Sequence, residues 1–448
     1  MTKFLMSILK FNFGEFEERE FKKFLRMGMI LMFIIGIYWT MRPLKSSLFN
    51  QLVGAEYQPY AKTVSLILMI PCVALYTKLL DVFSKSKLLS YLPPVFYGSI
   101  MLLYAGFIWA FQSNLIAPST WTMVLGYFWY FFVESFGSLV VALFWSFATE
   151  ITESKSAKQG FPLIYLFAQF GGIVAPLLII TLPVNLGIKS DAFSIVILVL
   201  LTLLIGPLVS GLLKKTPKDL LVSVNKEKSD EKSKKEKTGF VEGLKLLFTH
   251  KYLLGMFAVN FFLEFIVTVF DFNFQISAAQ VYSGVEYSRY IAVYGSCANL
   301  VTLIFLLLGI SNITKRLGIA VALSTVPVLF GLAVFGFLSI NSLNFLFCLM
   351  IASKAITYSL SGPALKQLYI PTSRDAKSKA QAWIETFGSR FSKECGAGIN
   401  MLYKPLGAAV YRFLTCGIGF VFVAIWFFIA LYLGRTCKKA VESDTIVC

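Results

Sequence analysis

The sequence is poor in charge. Asp, Glu, Lys and Arg together make up 15% of its 448 residues, whereas soluble domains carry about 25%. Hydrophobic residues make up 57%, and 44 residues are Phe. A chain with so little charge and so many large apolar side chains has a surface that suits contact with lipid and not with water alone. The composition therefore excludes an ordinary soluble domain and favours a membrane protein.

Histidine is nearly absent, and the cysteines form no recognisable ligand set. His250 is the only histidine, and the seven cysteines are scattered without a CxxC pair. Neither a zinc site nor a disulfide framework is indicated. The sequence also lacks the GxxxxGK[ST] phosphate loop, the HExxH motif and the GxSxG motif. We therefore predict no enzyme, no cofactor, no metal and no process driven by ATP hydrolysis on this chain.

Long apolar stretches are what the sequence does contain. A helix needs about 20 apolar residues to cross a hydrocarbon core of about 30 Å. Stretches of this kind predict an all-α polytopic membrane protein with about 12 transmembrane helices. They lie at 24–48, 61–80, 90–111, 121–148, 161–183, 192–213, 252–273, 289–310, 318–338, 343–364, 380–403 and 411–434.

The basic residues support this topology. The chain has 41 Lys and Arg residues and a formal net charge of +17, which by itself could indicate nucleic-acid binding. Most of these residues, however, fall in the terminal segments and alternate loops that are cytoplasmic if both termini are inside, as the positive-inside rule predicts. We therefore predict no nucleic-acid partner, contact with the lipid bilayer and cytoplasmic termini.

A mixed-charge segment divides the chain. Residues 214–238 are rich in Lys, Glu, Asp and Ser, a composition typical of disorder. The sequence thus predicts an N-terminal six-helix half over 1–213, a cytoplasmic linker with a surface helix over 214–251, and a C-terminal six-helix half over 252–448. This is the layout of major-facilitator-like transporters, in which two halves surround a path with its site near the membrane midplane.

Ionisable residues lie inside several predicted spans. Each costs about 2.5–3.5 kcal/mol at the bilayer centre, so such residues usually line a cavity or have a partner. The cations suit carboxylate or phosphate groups and predict a small anionic substrate. The candidates are Arg42, Lys45, Lys62, Glu134, Glu264, Asp271, Lys354, Glu385, Arg390, Lys393 and Glu394.

Span 11 is the most polar span. Gln381, Glu385, Ser389 and Lys393 recur every fourth residue, which predicts one polar stripe along a helix. Structural alternatives apply to several candidates. Arg390 can pair with Glu394 along the same helix.

Alternatives also apply to the other spans. Glu134 can pair with a cation of span 1. Lys62 and the two span-1 cations can extend to the interface. Glu264 or Asp271 can carry a proton or act as a structural partner.

Several motifs resemble one known family. Phe21–Leu25, Arg42–Leu48, Gly54–Glu56 and Pro59–Lys62 resemble EFKKFLP, R-x-x-K-D-x-L, GAE and PFLK at the start of the nucleotide (ATP/ADP) transporters of obligate intracellular bacteria and plastids. Further matches follow in the same order along the chain. They are Tyr76–Leu79, Phe83–Leu88, Glu134–Ser138, Phe144–Ala148, Lys366–Pro371, Lys377–Ala380 and Gly388–Lys393.

The resemblance implies an exchanger of ATP for ADP and phosphate, or a proton-coupled importer of nucleotides. It implies substrate-binding roles for Lys62, Glu134 and a Lys of the span-10 region, either Lys354 or Lys366. The sequence departs from the family where Ser46 replaces an Asp and Gln367 a Glu.

Two further departures concern acids. Glu385 replaces the Asp of the KGKAAID motif, and the family's Glu-Val-Thr-Trp-Lys in span 7 is missing. Glu264 and Asp271 are therefore joint candidates for that position.

Three functions follow as hypotheses. The first is nucleotide transport by alternating access, with ATP, ADP and phosphate as the expected substrates and a monomer as the transporting unit. The second is proton-coupled symport of another anionic metabolite. The third is a membrane scaffold or membrane-embedded enzyme, which leaves the charges within the spans unexplained.

Overall fold

The structure is a computed structural model of the whole chain. It describes residues 18–152, 154–216, 247–307, 318–340, 342–369, 371–372, 383–443 and 445–447. Residues 217–246, which form most of the predicted linker, lie outside the described residues, as do 308–317 and 373–382.

The described residues fold into helices and contain no strand. Several helices include a turn of π-helix, and α12 changes direction at Gly407, whose φ is 74°. We number the helices in chain order. They are α1 Glu18–Leu52, α2 Gln58–Val82, α3 Lys85–Gln112, α4 Thr120–Glu150, α5 Ser154–Pro176 with its continuation to Asn185, α6 Asp191–Lys215, α7 Lys251–Val281, α8 Gly284–Leu307, α9 Ile319–Ser339, α10 Leu343–Gln367, α11 Ser389–Asn400 and α12 Tyr403–Glu442.

This helix order confirms the predicted fold class. Within the described part of the chain, ten helices are long and apolar enough to cross a membrane by length and composition. The other two, α8 and α11, coincide with predicted spans 8 and 11, the latter being the polar span. Each predicted span therefore has a helix at its place in the sequence.

Contacts group the chain into two compact units. Residues 55–63 belong to unit 2 and residues 282–300 to unit 1, each in the opposite unit from the sequence around it. Helices α2 and α8 are therefore each divided between the units. The six-helix halves predicted at 1–213 and 252–448, with the linker between them, remain a prediction. Unit 1 holds the described residues of Met1–Gly54, Val64–Lys232 and Tyr282–Leu300, and unit 2 holds those of Ala55–Thr63, Ser233–Val281 and Val301–Cys448.

Helix α1 runs through the interior of unit 1. Its residues Phe24, Met27, Ile34 and Ile37 are completely buried, and α5 packs along it. Small residues allow this close approach. A Cβ added at Gly36 would lie 3.0 Å from the Cβ of Ala175 in α5.

Gly171 of α5 is the tightest point of this contact, because a Cβ there would overlap the backbone carbonyl oxygen of Met32. Replacing Gly171 by Leu is expected to lower the unfolding temperature in detergent, since overpacking typically costs about 1–3 kcal/mol and small residues hold membrane helices together. Gly106→Leu is the control, because a Cβ at Gly106 would meet no atom within 4 Å. Equal unfolding temperatures for the two variants would contradict this packing.

The interior of unit 2 contains a chain of buried polar groups. Tyr411 Oη donates to Asn400 Oδ1 at 2.6 Å, and Asn273 Nδ2 donates to Tyr411 Oη at 3.4 Å. Asn400 Nδ2 in turn donates to the carbonyl oxygen of Thr268 at 3.3 Å. Buried polar groups are costly unless they are hydrogen-bonded. These hydrogen bonds therefore hold α11 and α12 against α7.

Several helical regions of the described chain contain a π-helical turn. Three of these turns contain or adjoin proline, which lacks an N–H and interrupts the regular hydrogen-bond ladder. In α3, for example, the turn Leu92–Gly98 contains Pro93 and Pro94. The others are Leu177–Thr181 beside Pro176 and Pro183, Thr357–Ser361 before Pro363, and Trp383–Gly388 directly before α11.

Candidate functional site

Lys45 and Glu134 form an ion pair inside unit 1. Lys45 lies in α1 and is only 6% exposed, and its ammonium group donates to Glu134 Oε1 in α4. The same ammonium lies 4.1 Å from the ring centroid of Tyr130, one turn before Glu134. We call these three residues the Lys45 cluster. An aromatic face and a carboxylate both stabilise a cation withdrawn from water.

Arg42 lies one turn before Lys45 on α1. Its guanidinium carbon is 4.9 Å from the ring centroid of Trp39 and 5.9 Å from that of Tyr38. The side chain is partly exposed. Arg42 therefore lies against two aromatic rings. A guanidinium is a planar donor group that suits a phosphate or a carboxylate.

The Glu264 carboxylate contacts two polar residues of α11 in unit 2. It lies in the middle of α7 and accepts a hydrogen bond from Ser389 Oγ at 3.0 Å. Lys393 Nζ lies 3.5 Å from its other oxygen. Glu264, Ser389 and Lys393 are the Glu264 cluster. The two residues from α11 are four apart and contact one carboxylate, which confirms that this part of the predicted stripe shares one face.

A second contact lies one residue further along α11. Glu394 Oε2 accepts a hydrogen bond from Thr63 Oγ1 at 3.0 Å, and Lys62 is near enough for its charge to act on the same carboxylate. The alternative in which Glu394 pairs with Arg390 is not adopted, although both residues are described. Arg390 is exposed instead.

The remaining candidates lie on α7 and α10 and just before α11. Asp271 accepts a hydrogen bond from Gln275 Nε2, one turn later on α7, at 2.7 Å. In α10, Lys354 is partly buried and Lys366 is exposed near the end of the helix. The side chain of Glu385 lies outside the described part of the structure, as does Gln381. Glu264 contacts Ser389 and Lys393 of α11, and Glu264 and Asp271 remain joint candidates for the acid of span 7.

Sequence reasoning did not find one buried acid. Asp191 at the start of α6 is 1% exposed and accepts hydrogen bonds from Gln51, Gln112 and Ser288. Its position directly after Ser190 is typical of the first turn of a helix, where acids are favoured for local reasons. That position gave no signal of long-range contacts. Tyr130 was missed as well, because aromatic residues are frequent throughout α4.

The two clusters share one chemical property. In each, a lysine inside a helical region is partly neutralised by an acid from another helix, with Lys393 51% and Glu264 24% exposed at the side chain. A polyanion that enters such a cluster can take the place of the carboxylate as the partner of the lysine. The arrangement suits reversible binding of an anion, because the unoccupied lysine does not remain without a counter-charge.

Sequence comparisons point to one family. The sequence pattern of the TLC ATP/ADP transporter family matches residues 3–349 of this chain. The ADP,ATP carrier protein 3 of Rickettsia typhi is 22% identical over an alignment of 443 positions, which covers 86% of this chain and 88% of that protein. The ADP,ATP carrier protein 1 of Rickettsia conorii is 24% identical over an alignment of 479 positions, which covers 95% of each chain.

Solved structures share the fold. A nucleoside transporter named NupG, solved as a point mutant, superimposes with a TM-score of 0.63 at 14% identity and covers 92% of this chain and 99% of its own. A bacterial homologue of the human lysosomal transporter Spinster, inward-facing and unoccupied, gives a TM-score of 0.58 at 14% identity and covers 95% and 99%. At these identities the likeness concerns the arrangement of helices.

Proposed function

Because this chain belongs to the TLC ATP/ADP transporter family, we propose that it carries nucleotides across a membrane by alternating access. Cationic side chains within its helices bind the phosphate groups. The observation that carries the proposal is the Lys45 cluster, in which an ammonium group is kept inside unit 1 beside a carboxylate that a phosphate can replace. The names of the relatives, which are ADP,ATP carrier proteins, support ATP and ADP as substrates.

Residues of both units contribute to this proposal. In unit 1, Arg42 and Lys45 are the phosphate-binding groups, and Glu134 is the resident counter-charge. In unit 2, Lys393 has the corresponding role with Glu264 as its acid. Further proposed substrate-binding residues are Lys62, Lys354, Lys366 and Arg390, with Asp271 and Glu385 as further candidate acids.

The family and the apolar helices make the chain an integral, multi-pass membrane protein. We further propose a bacterial inner membrane, cytoplasmic termini, a monomer, and phosphate as a third substrate. The distribution of Lys and Arg between alternate loops supports this orientation. No nucleic-acid role is proposed, because the family is one of transporters.

Purified protein in liposomes tests the proposal. We expect uptake of labelled ATP or ADP, and we expect either internal nucleotide or a proton gradient to accelerate it. The first result indicates exchange, and the second indicates proton coupling. If ATP, ADP, GTP and UTP all fail to enter under both conditions, and another organic anion enters with protons, the proton-coupled symport of that anion replaces the nucleotide assignment.

Binding can be separated from transport by thermal unfolding. A ligand at about 100 times its Kd stabilises the folded state by about 2.7 kcal/mol. We expect ATP and ADP to raise the unfolding temperature and adenosine, which has no phosphate, to raise it much less. Sodium chloride at equal ionic strength is the control for charge alone. A larger shift with adenosine than with ATP would contradict phosphate recognition by the lysines.

A further inference from the structure

A single carboxylate joins four helices of unit 1. Asp191 Oδ2 accepts hydrogen bonds from Gln51 Nε2 and Gln112 Nε2, both at 3.1 Å. Its Oδ1 accepts one from Ser288 Oγ at 2.8 Å. Gln51 lies at the end of α1, Gln112 ends α3, and Ser288 lies in the second turn of α8. A charge-assisted acceptor with three donors is a strong connection.

The charged groups beside this network pair among themselves. Arg289 Nε donates to Glu286 Oε2 at 2.8 Å, and Lys189 Nζ lies 3.8 Å from Glu286 Oε1. Arg289 Nη1 also donates to Asn185 Oδ1 at 3.3 Å. Within the described part of the chain, the hydrogen-bond donors to Asp191 are therefore uncharged side chains, and its negative charge is stabilised by hydrogen bonds.

Other bonds hold the first part of α8 in the same unit. Ser47 Oγ donates to the carbonyl oxygen of Gly284 at 2.8 Å, and Ser296 Oγ donates to that of Ile173 at 2.9 Å. Between them, Ala292 is 1% exposed and belongs to the hydrophobic core of unit 1. The start of α8 is thus an internal part of unit 1, although it follows the linker in the sequence.

Helix α8 does not end there. Its residues 301–307 belong to unit 2. Alternating access moves parts of a transporter against each other, so the contacts at the start of α8 are candidates for a change between states. Helix α2 has the reciprocal division, since its first residues belong to unit 2. In that unit Lys404 Nζ donates to Tyr57 Oη at 2.6 Å, just before α2 begins.

We propose that Asp191 is a positioning residue for transport. Its bond to Ser288 holds the beginning of α8 within unit 1 in one state of the cycle and is released in the other. The inference rests on the proposed transport function. It goes beyond that function because Asp191 is assigned no contact with substrate.

The test measures how often the start of α8 leaves the core. A chain with its native cysteines replaced carries Ala292→Cys as the reporter, and labelling by a membrane-impermeant maleimide is followed with time. Adding Ser288→Ala is expected to raise the labelling rate about tenfold, the factor that corresponds to one lost hydrogen bond to a charged group. Asp191→Asn is expected to raise it as well.

A matched substitution distinguishes release from general loosening. Ser194 Oγ donates to the carbonyl oxygen of Ile179 at 3.0 Å and is also buried in unit 1. Ser194→Ala should leave the labelling of Ala292→Cys unchanged. Ala105→Cys, in the same core but on α3, should stay unlabelled in every variant. An unchanged rate with Ser288→Ala, or equal increases with Ser194→Ala, overturns the proposal.

A cross-link gives the opposite perturbation. Asn185 and Arg289 are accessible and in contact, so Asn185→Cys with Arg289→Cys can be joined by a short bifunctional thiol reagent. The joined protein should lose nucleotide uptake but keep the thermal shift with ATP, whereas each single cysteine variant treated alike should transport. Undiminished uptake after cross-linking refutes the release of α8. Absence of nucleotide uptake before cross-linking counts against the proposed function instead, and the labelling rates still decide the role of Asp191.

Discussion

Replacing Lys45 by Met is expected to reduce nucleotide uptake about tenfold or more, because the variant removes the most deeply buried cation of the proposed site. An ammonium that binds a phosphate in the transition between states contributes at least the roughly 1.4 kcal/mol that corresponds to this factor. Lys45→Arg should retain more activity than Lys45→Met, since the charge remains, but the larger guanidinium has to fit over Tyr130. Initial uptake rates in liposomes are the measurement.

The pair with Glu134 complicates this experiment, and a double variant resolves it. Removing one member of a buried ion pair leaves an uncompensated charge and destabilises by about 3–5 kcal/mol when burial is complete. The cost is smaller here because 36% of the Glu134 side chain is exposed. Lys45→Met with Glu134→Gln removes both charges and should recover the unfolding temperature without recovering uptake. If uptake returns together with stability, Lys45 is only a structural partner of Glu134.

Lys393→Gln is expected to cause a second large loss of uptake, again about tenfold, with little change in stability. Its side chain is half exposed and its distance to Glu264 is 3.5 Å. Exposed ion pairs contribute only about 0–1 kcal/mol to folding. A large effect on transport therefore cannot come from unfolding. The unfolding temperature and the uptake rate of the same preparation are the two measurements.

Lys438→Gln is the matched control for Lys393. Lys438 is exposed, pairs with Glu442 one turn later at 3.8 Å, and lies at the end of α12. Removing it deletes the same charge and a comparable ion pair outside the proposed site. If both variants transport equally well, the effect of removing a positive charge does not depend on its position. Lys393 is then removed from the substrate-binding set. Ser389→Ala tests whether orientation of Glu264 also matters.

The number and order of the helices could be predicted from the sequence because their causes are local. Each span is marked by its own apolar length. The side of the membrane on which each span begins stays a prediction from the Lys and Arg residues. The ionisable residues inside spans were also found individually, since each is unusual in its own segment. Lys45 and Glu134 were therefore both candidates, although their pairing was one alternative among others.

Which helices touch could not be predicted from the sequence. Glu264 and Lys393 lie far apart in the chain, and one sequence contains no signal that joins α7 to α11. Asp191 was overlooked for the same reason, because its partners come from three other helices. The π-helical turn at Trp383–Gly388 could not be predicted either, because sequence periodicity is read with 3.6 residues per turn. The part of the predicted stripe before Ser389 stays a prediction, since Gln381 and the side chain of Glu385 lie outside the described residues.

The placement of residues 282–300 has a consequence for how the protein is made. During synthesis, the first half and the linker are complete before Ala292 leaves the ribosome. Ala292 nevertheless belongs to the hydrophobic core of unit 1. That core consequently cannot reach its final packing as an early intermediate. Separately produced fragments cut at the linker would each lack an interior segment, so they should assemble only when both polypeptides are inserted in the same membrane.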